Sequence, residues 1–166
     1  MSFDQRLLVG RVLADTPSAW EVQLSHDKKL VIYASSYGPE GEALDYDVLL
    51  TGRPPELATV VSGPPALLGN VYTREPEELP ANDFDWQQAL NVEFLAVPDS
   101  WFLQLTDGHE LLVYANDMEE RDGEHLFTLR VRGGGPSLPV ARISSSLVTA
   151  VRRQPAEHVI AEQSQQ

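Results

Sequence analysis

Two stretches read almost alike, AWEVQLSHDKKLVIYA over residues 19–34 and WFLQLTDGHELLVYA over residues 101–115; the first opens with apolar and polar side chains alternating from Trp20 to Ser25, and each ends in an apolar run, LVIYA or LLVYA. A period of two is the mark of a strand with one buried face. Each stretch is broken once by polar residues, at His26-Asp27 and at Asp107-Gly108, which predicts a hairpin in each. Asp-Gly suits a two-residue type I′ turn, whose central residues both take positive φ. That turn sets a register with Trp101 opposite Tyr114, Leu103 opposite Leu112 and Thr106 opposite His109. In the first hairpin the same register sets Trp20 opposite Tyr33 and Val22 opposite Val31. The expectation is a cross-strand Trp/Tyr pair on the buried face, contributing roughly 0.2–1 kcal/mol beyond ordinary packing.

The likeness extends beyond the hairpins. At an offset of 81, FDQRLLVGRVLADTPSAWEVQL from Phe3 aligns without a gap on FDWQQALNVEFLAVPDSWFLQL from Phe84, and Pro17/Pro98, Trp20/Trp101, Tyr33/Tyr114 and Ala34/Ala115 are identical. Further on, GEALDYDVLLTG from Gly41 resembles GEHLFTLRVRGG from Gly123 after a one-residue shift. Around each hairpin the pattern predicts a preceding extended segment (7–14; 90–96), a following strand (44–50; 126–132) and a last apolar strand (57–61; 140–148, broken at the serines). Alternation at Leu90, Val92 and Phe94 favours a strand there, against a short helix over 83–90 capped by Asn82.

The fold class expected is mainly β: an internal duplication, of period 81, of a small antiparallel β-unit built on a Trp/Tyr hairpin, with at most short helices. The units would form either two similar β-domains or one pseudo-twofold β-sandwich or barrel. Two copies are too few for a solenoid. The chain divides into a first β repeat (1–72), an acidic, proline-containing linker (73–83), a second β repeat (84–153) and a polar C-terminal tail (154–166).

Composition changes the picture by sign of charge. With 12 basic and 25 acidic residues the chain carries a formal charge of -13, which makes phosphate backbones and anionic membranes poor partners and a basic protein a suitable one. No apolar run is long enough to span a membrane. Cysteine is absent, excluding disulfides and thiolate chemistry and fitting a reducing, cytoplasmic setting. From Glu75 to Glu124 there are 14 acids and one base, Arg121, whereas from His125 to Ala156 there are five Arg and no acid. Those acids form either a solvated surface with counter-charges on a neighbouring strand or a docking surface for a basic partner.

In the predicted register Phe102 shares a face with Leu111 and Val113, where the first copy has Glu21. The partner-binding residues expected are therefore Phe102, Leu111 and Val113 together with Asp117, Glu119, Glu120, Asp122 and Glu124. Exposed strand edges also allow a homodimer.

Motifs of catalysis or cofactor binding are missing. The four His show no metal-ligand spacing, NDMEERDGEH lacks the intervals of a calcium loop, no serine lies in an elbow motif, and Gly133-Gly134-Gly135 is followed by no helix start or Walker lysine. No catalytic residue, metal or cofactor is expected. The function expected is a non-enzymatic acidic protein-binding module of the adaptor, chaperone or inhibitor kind. Two alternatives remain: a carboxylate/His metal-dependent enzyme using Asp107, His109, Glu110, Asp117 and Glu119, or a small-ligand pocket between the sheets.

Overall fold

The structure, a computed structural model, describes residues 5–25, 28–68, 71–74, 84–132 and 136–156. The first half of the chain supplies β1 (Ser18–Ser25), β2 (Lys28–Ala34), β3 (Ser36–Glu40), β4 (Ala43–Leu50), β5 (Glu56–Gly63), the one-turn helix α1 (Pro65–Leu68) and β6 (Val71–Arg74). The second supplies β7 (Glu93–Phe94), β8 (Asp99–Leu105), β9 (Glu110–Ala115), β10 (Asp117–Arg121), β11 (Glu124–Leu129), β12 (Val131–Arg132), β13 (Leu138–Ser144) and β14 (Val148–Gln154). Short 3-10 turns lie at Gln5–Leu8, Trp86–Asn91 and Ser145–Leu147. The protein is mainly β, as its alternation implies, and among the described residues no helix is long and apolar enough to cross a membrane.

Two six-stranded antiparallel sheets form the body. The first runs β10-β11-β13-β2-β1-β6 and the second β3-β4-β5-β9-β8-β14, with β7 and β12 paired beside them. Each sheet takes three strands from each half, and the halves exchange roles between the sheets. The junctions match too: Ala141 pairs with Ile32 in the first sheet and Val61 with Val113 in the second. One apolar cluster fills the space between, from Leu30, Ile32 and Phe127 on one side to Tyr46, Leu111 and Val113 on the other. The halves therefore share one core.

The hairpin register differs by one residue from the expectation. Trp101 pairs with Val113 and Leu103 with Leu111, and Trp20 pairs with Ile32. In the first hairpin Ser25 still pairs with Lys28 as expected, and the register shifts between Gln23 and Ser25; in the second the reason is the turn. The Leu105 carbonyl accepts from Gly108 N–H at 3.0 Å, the His109 carbonyl accepts from Leu105 N–H at 2.9 Å, and only Gly108 (φ 91°) takes a positive φ. This is a three-residue loop with a bulged glycine rather than a two-residue turn. The two-residue turn occurs at the other Asp-Gly, where Asp122 (φ 54°) and Gly123 (φ 79°) join β10 to β11.

Since a one-residue slip moves every side chain to the opposite face, Tyr33 and Tyr114 lie on the outer faces, away from the tryptophans. Each tryptophan instead donates its indole N–H to the carbonyl of the matching alanine, Trp20 to Ala34 at 2.8 Å and Trp101 to Ala115 at 3.0 Å. Each also meets an aromatic edge-on, Tyr46 for Trp20 and Phe127 for Trp101. Those contacts keep the 81-residue offset into β4 and β11, where both strands bulge after the same aromatic. The expected one-residue shift is absent there.

Other expectations need adjustment. Residues 90–96 form not a strand but the end of a 3-10 turn followed by the two-residue β7. Its cap is Asp85, which accepts from Gln87 N–H at 3.0 Å; Asn82 lies outside the described residues. Of the expected linker, Thr73 and Arg74 belong to β6 and the rest is outside the described residues. Gln154, expected to begin the tail, closes β14. The serine break falls at Ser145–Leu147, between β13 and β14.

With Trp101 buried and hydrogen-bonded, Trp101→Ala should lower the unfolding free energy by about 3–5 kcal/mol. Urea denaturation of the two proteins measures this, and an unchanged midpoint would contradict the assigned core position.

Candidate functional site

The residues expected to meet a partner do not assemble. Leu111 and Val113 are fully buried between the sheets, so they do not share a face with Phe102 as expected, for the one-residue reason given above. Phe102 lies half-buried on the outer face of the second sheet, opposite Leu112, with the Arg152 guanidinium 4.2 Å from its ring centroid. The five acids lie elsewhere, on the β10–β11 hairpin at the edge of the first sheet.

Counter-charges on the hairpin and beside it meet these acids. Asp117 accepts from Arg130 Nε and Nη2, both at 2.9 Å. Glu119 lies 3.4 Å from Arg121, Glu120 lies 3.3 Å from the His125 imidazole, and Glu124 lies 3.5 Å from Arg142. Asp122 is the turn residue. Charged side chains at such an edge oppose pairing with another sheet. The residues of the enzymatic alternative are likewise divided: Asp107 and His109 share an exposed loop of the second sheet, 2.9 Å apart, whereas Asp117 and Glu119 belong to the first sheet. Among the described residues no group of three or more His, Asp or Glu is placed to hold a metal ion.

A different site emerges from the outer faces, around the two tyrosines. On the first sheet Tyr33 is sealed from solvent. Trp86 stacks on it with ring centroids 5.2 Å apart and planes 24° apart, and Phe84 packs edge-on against Trp86. Burial pushes the Tyr33 hydroxyl up to about 12. The short turn after Asp85 delivers this cover.

The corresponding turn on the second sheet delivers a smaller side chain. Gln5, aligned with Trp86 at the 81-residue offset, donates from Nε2 to the Thr59 carbonyl at 3.1 Å. A cleft of about 210 Å³ is left beside Tyr114, lined also by Gln5, Glu40, Ala43, Asp45, Thr59 and Ser62. Alternation on β4 places Asp45 there: Leu44, Tyr46, Val48 and Leu50 point into the core, and the residues between them point out. Tyr46 anchors this strand by donating its hydroxyl to the Leu68 carbonyl at 2.7 Å.

Asp45 is buried and accepts from the Ser62 hydroxyl at 2.5 Å. The Thr59 hydroxyl lies 2.9 Å from Asp47 and 3.5 Å from Asp45; its single hydrogen serves Asp47. One Asp45 oxygen thus keeps accepting capacity. Burial raises the Asp47 carboxyl above its ordinary range, opposed by the Thr59 hydrogen bond and reinforced by the charges of Asp45 and Glu40. Burial and the Asp45 charge also raise the Tyr114 hydroxyl. No lysine or arginine is among the lining residues. The arrangement suits a cation with a flat or apolar body.

No family model, no curated protein and no solved structure matches the chain.

Sequence pattern alone passes over Gln5, Asp45, Ser62 and Tyr114. The signal that marks the place is the Gln5/Trp86 mismatch within an otherwise close alignment, joined to Asp45 and Asp47 alternating in LDYD.

The raised Asp47 carboxyl has a definite linkage sign. Its folded form binds a proton more tightly than the unfolded chain does, so its contribution is favourable in acid and is lost as pH rises through the folded value. Asp47→Asn should therefore raise the melting temperature at pH 7, and the gain should vanish below about pH 4, where the side chain at this position is uncharged in both proteins. Thermal unfolding across that range checks it; a variant less stable than wild type at pH 7 would contradict the assignment.

Proposed function

We propose that the protein is a non-enzymatic acidic binding module, of the adaptor, chaperone or inhibitor kind, that engages a basic protein at the cleft beside Tyr114. The observation that carries this reading is the contrast between two groups of acids. On the β10–β11 hairpin, Asp117, Glu119, Glu120 and Glu124 each have a basic side chain beside them. In the cleft, the buried Asp45 is held by hydroxyls, with Asp47 close by and no basic residue in the lining. A concave, partly desolvated negative site concentrates the field that a basic partner feels.

The overall charge of -13 adds long-range steering, which raises association rates and makes them sensitive to salt. The absence of cysteine fits work in a reducing compartment such as the cytoplasm.

Capture with the immobilised full chain tests the reading. Proteins retained at low salt and released by a salt gradient would be identified, purified and rebound to three forms: wild type, a cleft variant carrying Ala43→Lys, and a hairpin variant carrying Glu119→Lys. The expected result is a basic protein whose affinity falls by at least about tenfold, roughly 1.4 kcal/mol, with the cleft variant and stays near wild type with the hairpin variant. Loss with the hairpin variant alone would move the docking surface to β10–β11 and overturn the proposal.

A further inference from the structure

The two tyrosine sites are built on matching registers, so one can be read as a template for the other. In the first sheet, Arg142 pairs with Val31 and Leu126, and Val31 neighbours Tyr33. In the second sheet Ser62 pairs with Leu112 and Asp45, and Leu112 stands in the same relation to Tyr114. Ser62 thus occupies the place of Arg142, Asp45 that of Leu126 and Gln5 that of Trp86.

Two substitutions by smaller residues empty the site, and one introduces a carboxylate. On the first sheet the space over the tyrosine is filled by the chain's own flat groups. Trp86 stacks on Tyr33, and the Arg142 charge acts on the Tyr33 hydroxyl while its guanidinium reaches Glu124 at 3.5 Å. On the second sheet the cleft of about 210 Å³ stands in their stead, and a buried carboxylate faces it where the first sheet has an apolar leucine. The described residues that line the second site include no counterpart of the Trp86 ring and no lysine or arginine.

We propose that the cleft beside Tyr114 receives the guanidinium of an arginine side chain presented by the basic partner. The inference rests on the binding reading above and adds the chemistry of the contact. A guanidinium is flat enough to lie on the Tyr114 ring, remains charged when desolvated, and offers several donors in a fork that suits Asp45. A lysine ammonium is a strongly hydrated point charge without a face to stack. Selection of arginine over lysine therefore follows from the aromatic wall, whereas attraction of either follows from the carboxylate.

Calorimetric titration of the full chain with the peptides Gly-Arg-Gly-Arg-Gly and Gly-Lys-Gly-Lys-Gly tests this, with Gln5→Trp and Ser62→Arg as blocking variants. The first variant restores the missing ring and the second the missing guanidinium. The expected result is saturable binding of the arginine peptide, about tenfold tighter than the lysine peptide, and loss of that preference in either variant that keeps the wild-type circular dichroism spectrum. Equal affinity for the two peptides would overturn the inference. So would an arginine preference that survives both substitutions. A captured basic protein whose affinity is unchanged by Gln5→Trp and Ser62→Arg but reduced by Ala43→Lys would leave the binding reading standing while removing the arginine contact.

Discussion

The fold depends on a hydrogen bond made twice, from a tryptophan indole N–H to the carbonyl of the alanine that ends the next strand. After Ala34 and after Ala115 the chain leaves one sheet for the other with a single residue between, Ser35 or Asn116. So abrupt a change strands backbone groups inside the protein, where an unpaired donor or acceptor costs about 1–3 kcal/mol. Trp20 and Trp101 occupy the alanine carbonyls. Ser35 and Asn116 then accept, through their side chains, the N–H groups of Leu49 and Arg130. With both corners satisfied, each half contributes to both sheets, and neither half has a core of its own to bury.

The sheets meet along a second, smaller correspondence. The extended segments that precede the hairpins touch each other through Val12 and Glu93, and they make matching pairings with other residues of their own halves, Leu13 with Leu50 and Phe94 with Val131. The helical turns just before them, at Gln5–Leu8 and Trp86–Asn91, lie over the outer faces. The halves therefore differ in chemistry at corresponding places on these outer faces. Trp86 closes one face, and Gln5 leaves the other open.

Much of this was legible in the chain. Alternation located most of the long strands, and the offset of 81 paired the right residues, including Gln5 with Trp86. The register of the first hairpin depends on a shift between Gln23 and Ser25 that no residue pattern marks; that of the second was not legible, because Asp107-Gly108 serves equally in a two-residue turn and as the end of a three-residue loop with a bulged glycine. That single ambiguity exchanged inner for outer faces, sending Leu111 and Val113 into the core and Tyr114 to the surface. β3, β10 and β14 escaped notice because SYGPE, DMEER and VTAVRRQ are edge strands with one partner each, whose polar composition guards an edge rather than filling a core. The cleft was hidden for a related reason: Asp45 and Ser62 meet only once β4 and β5 pair, and Tyr114 joins them only through the β5–β9 junction between the halves.

We propose that an open, acidic tyrosine site, rather than the paired charges of β10–β11, is the surface that a basic partner engages. Amide hydrogen exchange on the purified complex, compared with the free protein, tests that most directly. Added protection concentrated at Ala43–Tyr46, Val61–Ser62 and Tyr114, with β10–β11 unchanged, is the predicted footprint. Protection confined to Asp117–Glu124 would contradict it.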